Sequence, residues 1–287
     1  MSGKLEEIPF DGPLAERLQT KPADGLQIYW LGQAGFIVDI AGRRIVIDPY
    51  LSDSLAKKYA GTPRPHVRMM PPPVEPGDIP LVDLVLCTHA HTDHMDPGTL
   101  PALLAANPAA RLVAPRAMRQ QAIDRSGLSN ERLVLIDARE KLHLLPGISI
   151  TATRAAHEAL ETDTDGNHRF LGYAIDAGFV CLWHSGDGIP FDGLEDEVAR
   201  LKPDIALLPV NGRRPELSDN GVPGNFFLGE AVALARTIGA CDMVAHHYGL
   251  FEFNTEDTGA IDAAASDTRD IRLHRARTGK VLTWRAG

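Results

Sequence analysis

The stretch His89-Ala90-His91-Thr92-Asp93-His94 constrains this chain more than any other. It follows Asp83-Leu84-Val85-Leu86-Cys87-Thr88, an apolar run with the composition of a buried strand. It precedes Asp96-Pro97-Gly98-Thr99-Leu100, which reads as a helix start with Asp96 as cap and Pro97 at the first helical position. Three imidazoles and a carboxylate in one strand-to-helix turn make a poor core, and the whole chain has only 11 histidines. Neutral imidazole nitrogen and carboxylate oxygen are the donors that zinc, and less strictly manganese or iron, prefer. The competing explanation, a solvated polar loop, does not account for that clustering.

The 287 residues allow one large domain, and no linker, repeat or low-complexity segment divides them, so residues 1–287 are expected to form a single domain. A net charge of -9 is the wrong sign for a nucleic-acid binder. No apolar run approaches the roughly eighteen residues of a membrane span. The first ten residues carry two glutamates and no apolar run, unlike an export signal. Cys87, Cys181 and Cys241 each sit alone in apolar runs, as small buried hydrophobes do in a reducing compartment. A cytoplasmic location is therefore expected, with neither nucleic acid nor membrane as partner.

Three short strands are expected over 26–30, 35–40 and 43–48, the last two joined by a turn at Ala41-Gly42. A proline-rich stretch without periodicity follows over 57–80, and a loop of that length is usually functional or disordered. Further strands read over 83–88, 111–114, 132–136, 148–155, 204–210, 242–247, 271–274 and 280–284. A second hairpin over 170–177 and 179–184 turns at Ala177-Gly178. Helical spacing marks 97–107, 116–126, 194–201, 227–238 and 258–266. Many strands are apolar without alternation, hence covered on both faces. Hairpins first and helix-strand alternation later suit an α/β (α+β) chain with two packed sheets and helices outside.

A two-metal centre needs six or seven donors, and strand ends are where distant side chains can converge. His157 closes the strand over 148–155. Asp187 lies in the turn His184-Ser185-Gly186-Asp187-Gly188, where glycines permit close backbone approach. A carboxylate is the side chain suited to bridging two cations. His246 and His247 close another strand, and neighbours on a strand face opposite ways, so at most one points at the site.

Together these residues resemble the metallo-β-lactamase superfamily. The likeness lies in the H-x-H-x-D-H turn, the single His157, Asp187 after Ser-Gly, and the late histidine, in that order. Within it the chain is similar to the L-ascorbate-6-phosphate lactonase group through residues 28–35, 86–96, 183–187, 209–213 and 244–251. The resemblance implies a four-layer αββα sandwich of metallo-β-lactamase type. It implies that His89, His91 and His157 hold one divalent metal ion, that Asp93, His94 and His247 hold a second, and that Asp187 bridges them. It chooses His247 over His246 and matches Asp48, in Val46-Ile47-Asp48-Pro49, to an early aspartate supporting the ligand loop. The imidazole-rich set favours two zinc ions, with manganese as the alternative. The implied chemistry is hydrolysis by a metal-bridging hydroxide, since two cations lower the pKa of water from about 15.7 toward about 7. Asp93 and Asp187 are the expected catalytic carboxylates, and a homo-oligomer is compatible with the resemblance.

Recognition of a small anionic substrate falls to loops. Arg213, Asn211, Arg64 and His66 are the candidates, Arg being suited to bidentate contact with carboxylate or phosphate. The leading expectation is a lactonase acting on a sugar-derived lactone. A phosphodiesterase for small phosphate esters is the alternative, and a protein keeping metals only for structure is the third. Structural sites close with about four ligands, which disfavours the last.

Overall fold

A computed structural model describes residues 3–22 and 24–286 of the chain. Its first half holds β1 (Lys4–Pro9), α1 (Leu14–Leu18), β2 (Leu26–Gly32), β3 (Gly35–Ile40), β4 (Arg43–Ile47), α2 (Ser54–Lys58), β5 (Val82–Leu86), α3 (Leu100–Ala106), β6 (Arg111–Pro115), α4 (Arg119–Ser126) and β7 (Leu133–Ile136). The second half holds β8 (Lys141–Leu145), β9 (Ile148–Arg154), β10 (Leu171–Asp176), β11 (Cys181–His184), α5 (Leu194–Ala199), β12 (Ile205–Pro209), α6 (Pro215–Ser218), α7 (Leu228–Thr237), β13 (Asp242–His246), α8 (Thr258–Asp267), β14 (Arg272–Arg275) and β15 (Lys280–Arg285). Two sheets result, one ordered β1-β15-β2-β3-β4-β5-β6-β7 and the other β14-β13-β12-β11-β10-β9-β8.

Strands buried on both faces explain the unbroken apolar runs. Along β3, Phe36, Val38 and Ile40 enter the core between the sheets. Ile37 points to the opposite face, into the apolar cluster that also holds Leu14 and Leu18 of α1 and Leu100 and Leu103 of α3. β4 repeats the division, with Ile45 and Ile47 inside and Val46 outside. On the second sheet α7 packs on β12 and β13, α8 on β14, and α5 on β9. Burying each large apolar side chain contributes about 1.5–3 kcal/mol, so both faces of each sheet help hold the layers. The αββα order expected from the sequence is the one observed.

Several local expectations change. Residues Ala41 and Gly42 form the two-residue turn between β3 and β4, both with positive φ (50° and 72°). The second hairpin has a longer loop: β10 ends at Asp176, β11 starts at Cys181, and Ala177 N donates to Val180 O at 3.1 Å. Asp96 is not the cap of α3, which begins at Leu100 after Thr99. Its carboxylate instead accepts from Thr99 Oγ1 (2.5 Å), Ser52 Oγ (2.7 Å), Ser54 Oγ (2.7 Å) and Gly98 N (2.9 Å), tying the loop after β4 to the histidine turn. The proline-rich stretch is mostly irregular but anchored, since Met69 N donates to Leu250 O at 2.9 Å and Arg68 Nη1 to Tyr50 O at 3.1 Å. Among the described residues no helix is long and apolar enough to cross a membrane.

Candidate metal centre

β4 and β5 run parallel, as do β11, β12 and β13, and β9 shares their direction because both it and β11 pair antiparallel with β10. Asp48, the histidine turn, His157, Asp187 and His247 follow the carboxyl ends of β4, β5, β9, β11 and β13 respectively. One edge of the sandwich therefore receives all of them, the crevice position that open sheets offer to ligands.

The histidine turn is fixed from behind. His94 N and Met95 N both donate to His91 O, at 3.1 and 2.9 Å. Arg125 reaches across from α4 to donate to Ala90 O and Met95 O. Asp48, fully buried, accepts from Thr88 N (2.7 Å), Thr88 Oγ1 (2.6 Å) and His94 Nδ1 (2.7 Å). Thr88 Oγ1, having given its proton to Asp48, accepts from His89 Nδ1 at 3.0 Å. His157 Nδ1 donates to Gly224 O at 3.0 Å. Each of these three rings thus commits Nδ1 to an outer partner and turns Nε2 inward, the arrangement in which outer partners orient metal-binding histidines.

Asp187 Oδ2 stands at the centre, 3.1 Å from His247 Nε2, 3.2 Å from His94 Nε2 and 3.6 Å from His157 Nε2. Asp93 Oδ2 lies 3.8 Å from His247 Nε2 and 3.9 Å from His94 Nε2. Donor atoms of His89, His91 and His157 fall within 4.8 Å of one another, as do those of His89, His94 and Asp187, and those of Asp93, His94 and His247. His89 Nε2 and Asp187 Oδ1 are buried without any hydrogen-bond partner. Each such group costs about 1–3 kcal/mol, a penalty that a cation accepting their lone pairs would remove. The residues present fit divalent metal ions.

The electrostatics agree with that fit. Burial pushes the pKa of His89 well below the usual imidazole range, and the neighbouring rings of His94 and His91 add to the effect. Burial likewise lowers His91, and it takes His157 down to about 3. Burial works against a charged His94 too, but Asp187, Asp48 and Asp93 outweigh it and raise its pKa well above the ordinary value. For Asp187 burial disfavours the carboxylate, yet His247 and His94 overcome it and hold the pKa well below the usual range. Near neutral pH the carboxylates are ionised and His89, His91 and His157 are neutral, as ligation requires, while His94 would release its second proton to take a cation.

His246 faces the other way, edge-on to Phe36 at 5.2 Å and beside His184 at 4.9 Å in the core. The expected substrate contacts are less well gathered. Arg213 is held by Glu230 through two bonds of 2.6 and 2.7 Å and lies over Phe227, away from the centre. Arg64 donates to Glu216 O at 2.8 Å and lines a neighbouring groove. Asn211 is buried and structural. Its Nδ2 donates to Asn254 Oδ1 (2.8 Å), its Oδ1 accepts from Asn225 Nδ2 (3.0 Å), and Asn225 Oδ1 accepts from Gly188 N (2.8 Å), bracing the turn that carries Asp187. His66 does reach the cavity, stacked on Tyr59 at 4.3 Å.

The cavity over the cluster holds about 160 Å³ and is walled by Gln33, Lys58, Tyr59, Val222, Phe251 and Asn254 besides the candidate ligands. A cavity of about 150 Å³ admits one benzene-sized ring, so the space over the cluster suits a small group. Lys58, exposed at the mouth, is a cation that charge counting passed over because it looks like any solvated lysine. Gln33 was also missed, since an amide gives no sign in sequence of the distant partner it holds, and Asn225, a weaker candidate for substrate contact from its turn in the sequence, instead bonds Gly188 N and Asn211.

The β-lactamase superfamily domain profile matches residues 43–248. A UPF0173 metal-dependent hydrolase of Polynucleobacter asymbioticus is 31% identical over 213 residues, covering 68% of this chain and 68% of that protein. An N-acyl-phosphatidylethanolamine-hydrolyzing phospholipase D 1 of Caenorhabditis elegans is 24% identical over 81% of this chain and 66% of its own length. The crystal structure of an isothiocyanate hydrolase from Delia radicum gut bacteria superimposes with a TM-score of 0.69 at 18% identity, over 91% of this chain and 100% of that one, and shows the same fold. With most of its length and its whole histidine turn inside the matched region, the chain belongs to the metallo-β-lactamase superfamily, among the UPF0173 metal-dependent hydrolases.

Proposed function

We propose that the cluster is a dinuclear centre at which the chain hydrolyses a small ester, with a lactone as the leading substrate class. His89, His91 and His157 would hold one cation, Asp93, His94 and His247 the other, with Asp187 between them. Zinc is favoured by the five imidazoles, and manganese is the alternative. When bound, the pair supplies a nucleophile ionised near neutral pH and a Lewis acid for the electrophilic oxygen. The rest is done by the chain's own groups. Asp48, Thr88 and Gly224 O hold three rings in the ligating tautomer. Asp93, ionised and held by Gln33, is placed to accept a hydrogen bond from the attacking group. The wall of Tyr59, Val222 and Phe251 limits water around a ring-sized substrate. Lys58, rather than Arg213, is the cation at hand for an anionic substituent.

The observation that carries this proposal is the convergence of seven donor side chains under a cavity sized for one ring. Phosphodiester hydrolysis is a second reading, favoured by the likeness to the nematode phospholipase D. Metal-reconstituted protein is to be assayed on a panel of γ- and δ-lactones and on bis(p-nitrophenyl) phosphate, with zinc and with manganese. Lactone opening abolished in Asp187→Ala, with the fold retained, is the expected result. Turnover of the phosphodiester alone would choose the second reading, and full turnover by Asp187→Ala would remove both.

A further inference from the structure

We infer that Gln33 is a positioning residue for one of the two metal sites, fixing Asp93 and His247 relative to each other; this rests on the dinuclear reading above. Gln33 sits where β2 turns into β3, beside an irregularity in their pairing between Trp30 and Gly32. Its φ is 50°, a conformation that a side chain larger than Asn or Asp seldom adopts without a reason. The side chain is 1% exposed, and its Nε2 donates to Asp93 Oδ2 at 2.8 Å. That same oxygen faces His94 and His247. A carboxylate oxygen has two lone pairs, so it can accept from Gln33 and still turn toward the cluster.

The backbone of Gln33 works on the other ligand. Gln33 O accepts from His247 N at 2.9 Å and from Trp30 Nε1 at 3.0 Å. Trp30 in turn stacks on Tyr248, with ring centroids 5.1 Å apart. One residue therefore bonds Asp93 through its side chain and His247 through its carbonyl, although the two belong to different sheets. The residue type fits the task. A Lys or Arg at this position would put a second positive charge against the carboxylate that must face a cation, a Glu would repel it, and an Asn would be one methylene short.

The test compares wild type with Gln33→Met, which keeps the length and loses the donor, and Gln33→Asn, which tolerates positive φ but cannot reach Asp93. Zinc affinity at each site is read by chelator competition, the ligand field by the absorption of the cobalt-substituted protein, and folding by denaturation of the metal-free protein. The expected result is a loss of about 10–100-fold in affinity at one site in both variants, with the other site unchanged. Agreement between the two variants excludes backbone strain as the cause, and Gln33→Asn alone decides if Gln33→Met does not fold. Two wild-type affinities in both variants, or equal weakening of both sites, overturns the assignment of Gln33 while leaving the dinuclear reading in place. A wild type that takes up fewer than two cations overturns that reading and this inference with it.

Discussion

Asp48→Asn tests the idea that protonation of the rings is set from behind. Asp48 accepts three hydrogen bonds, two from Thr88 and one from His94 Nδ1, and has no exposure to solvent. Asparagine keeps the shape and accommodates the positive φ of 43° at this position. One oxygen, however, becomes an amide donor. Thr88 N is fixed in the backbone, so the remaining oxygen must face it. The new NH₂ then faces Thr88 Oγ1 and His94 Nδ1. To avoid donor against donor, His94 must move its proton to Nε2, the atom 3.2 Å from Asp187 Oδ2. Hydrogen bonds to a charged group contribute about 1.5–3 kcal/mol and neutral ones about 0.5–1.5, so the change costs about 1–4 kcal/mol of stability across the three. The lost lone pair costs about 10–100-fold in metal affinity at the site His94 serves. Guanidinium denaturation with chelator present reads the first number, and zinc titration calorimetry the second. A variant destabilised as stated but binding both cations like wild type would refute the tautomer reasoning.

Stability of the metal-free protein is expected to peak near pH 6.5. His89, His91 and His157 have depressed folded pKa values, so below about 6.5 the unfolded chain binds protons that the folded chain refuses, and stability falls as the pH drops toward about 3, where burial holds His157. His94 is raised, so its contribution is full below about 6.5 and is lost as pH climbs through its folded value, while Asp187 and Asp93 contribute above about 3.9 and lose it as pH falls through their lowered values. Denaturation from pH 4 to 9 reads this, and a steady rise past pH 8 would contradict it. Gly186→Ala should cost about 1–3 kcal/mol from its φ of 65° alone, plus a clash of the new Cβ with Leu171 O at 2.5 Å, and should weaken metal uptake through the adjoining Asp187; unchanged melting would exclude this. Arg44→Met leaves buried Asp39 without the guanidinium that bonds both its oxygens at 2.8 and 2.9 Å, so a loss of about 3–5 kcal/mol with metal stoichiometry unchanged is expected from denaturation and metal analysis. Arg213→Ala should lower stability by only about 0.2–1 kcal/mol and leave kcat/KM within about twofold, because its half-exposed pair with Glu230 stands away from the cavity.

What the sequence disclosed follows from what cannot be disguised. Three histidines and an aspartate after an apolar strand are anomalous wherever the strand ends, so the turn at 89–94 was legible. Asp187 and His157 were legible because each ends an apolar run. Two of the four edge strands, β1 and β8, were not. β1 reads Lys-Leu-Glu-Glu-Ile-Pro with only Leu5 buried, and it pairs with β15 at the other end of the chain. β8 has no fully buried residue. Neither can show the apolar run by which interior strands were recognised. The arginines were chosen for charge, but which carboxylate a guanidinium will meet depends on folding. Arg213 meets Glu230 at the start of α7, and that occupies the fork that seemed free.

The same limit explains Gln33, and it bears on how such a centre is held. Its partner Asp93 is 60 residues away, and the partner of Gly188 N, Asn225, is 37 away. Among the described residues, positive φ outside glycine occurs at eight positions, and four of them, Gln33, Asp48, Glu158 and His247, are in or next to the cluster. Such conformations cost about 1–3 kcal/mol each and persist only where surrounding contacts enforce them. Here the enforcing contacts can be named for three: the two hydrogen bonds of Gln33, one donated to Asp93 and one accepted from His247, the three donors on Asp48, and the carbonyl that receives His247 N. Strand ends bring the ligands to one edge, but strand ends alone leave them ångströms loose. Strained corners, each tied to another strand's loop, fix the remaining distance, which is why variants at Asp48 and Gln33 are expected to change metal affinity without touching the metal.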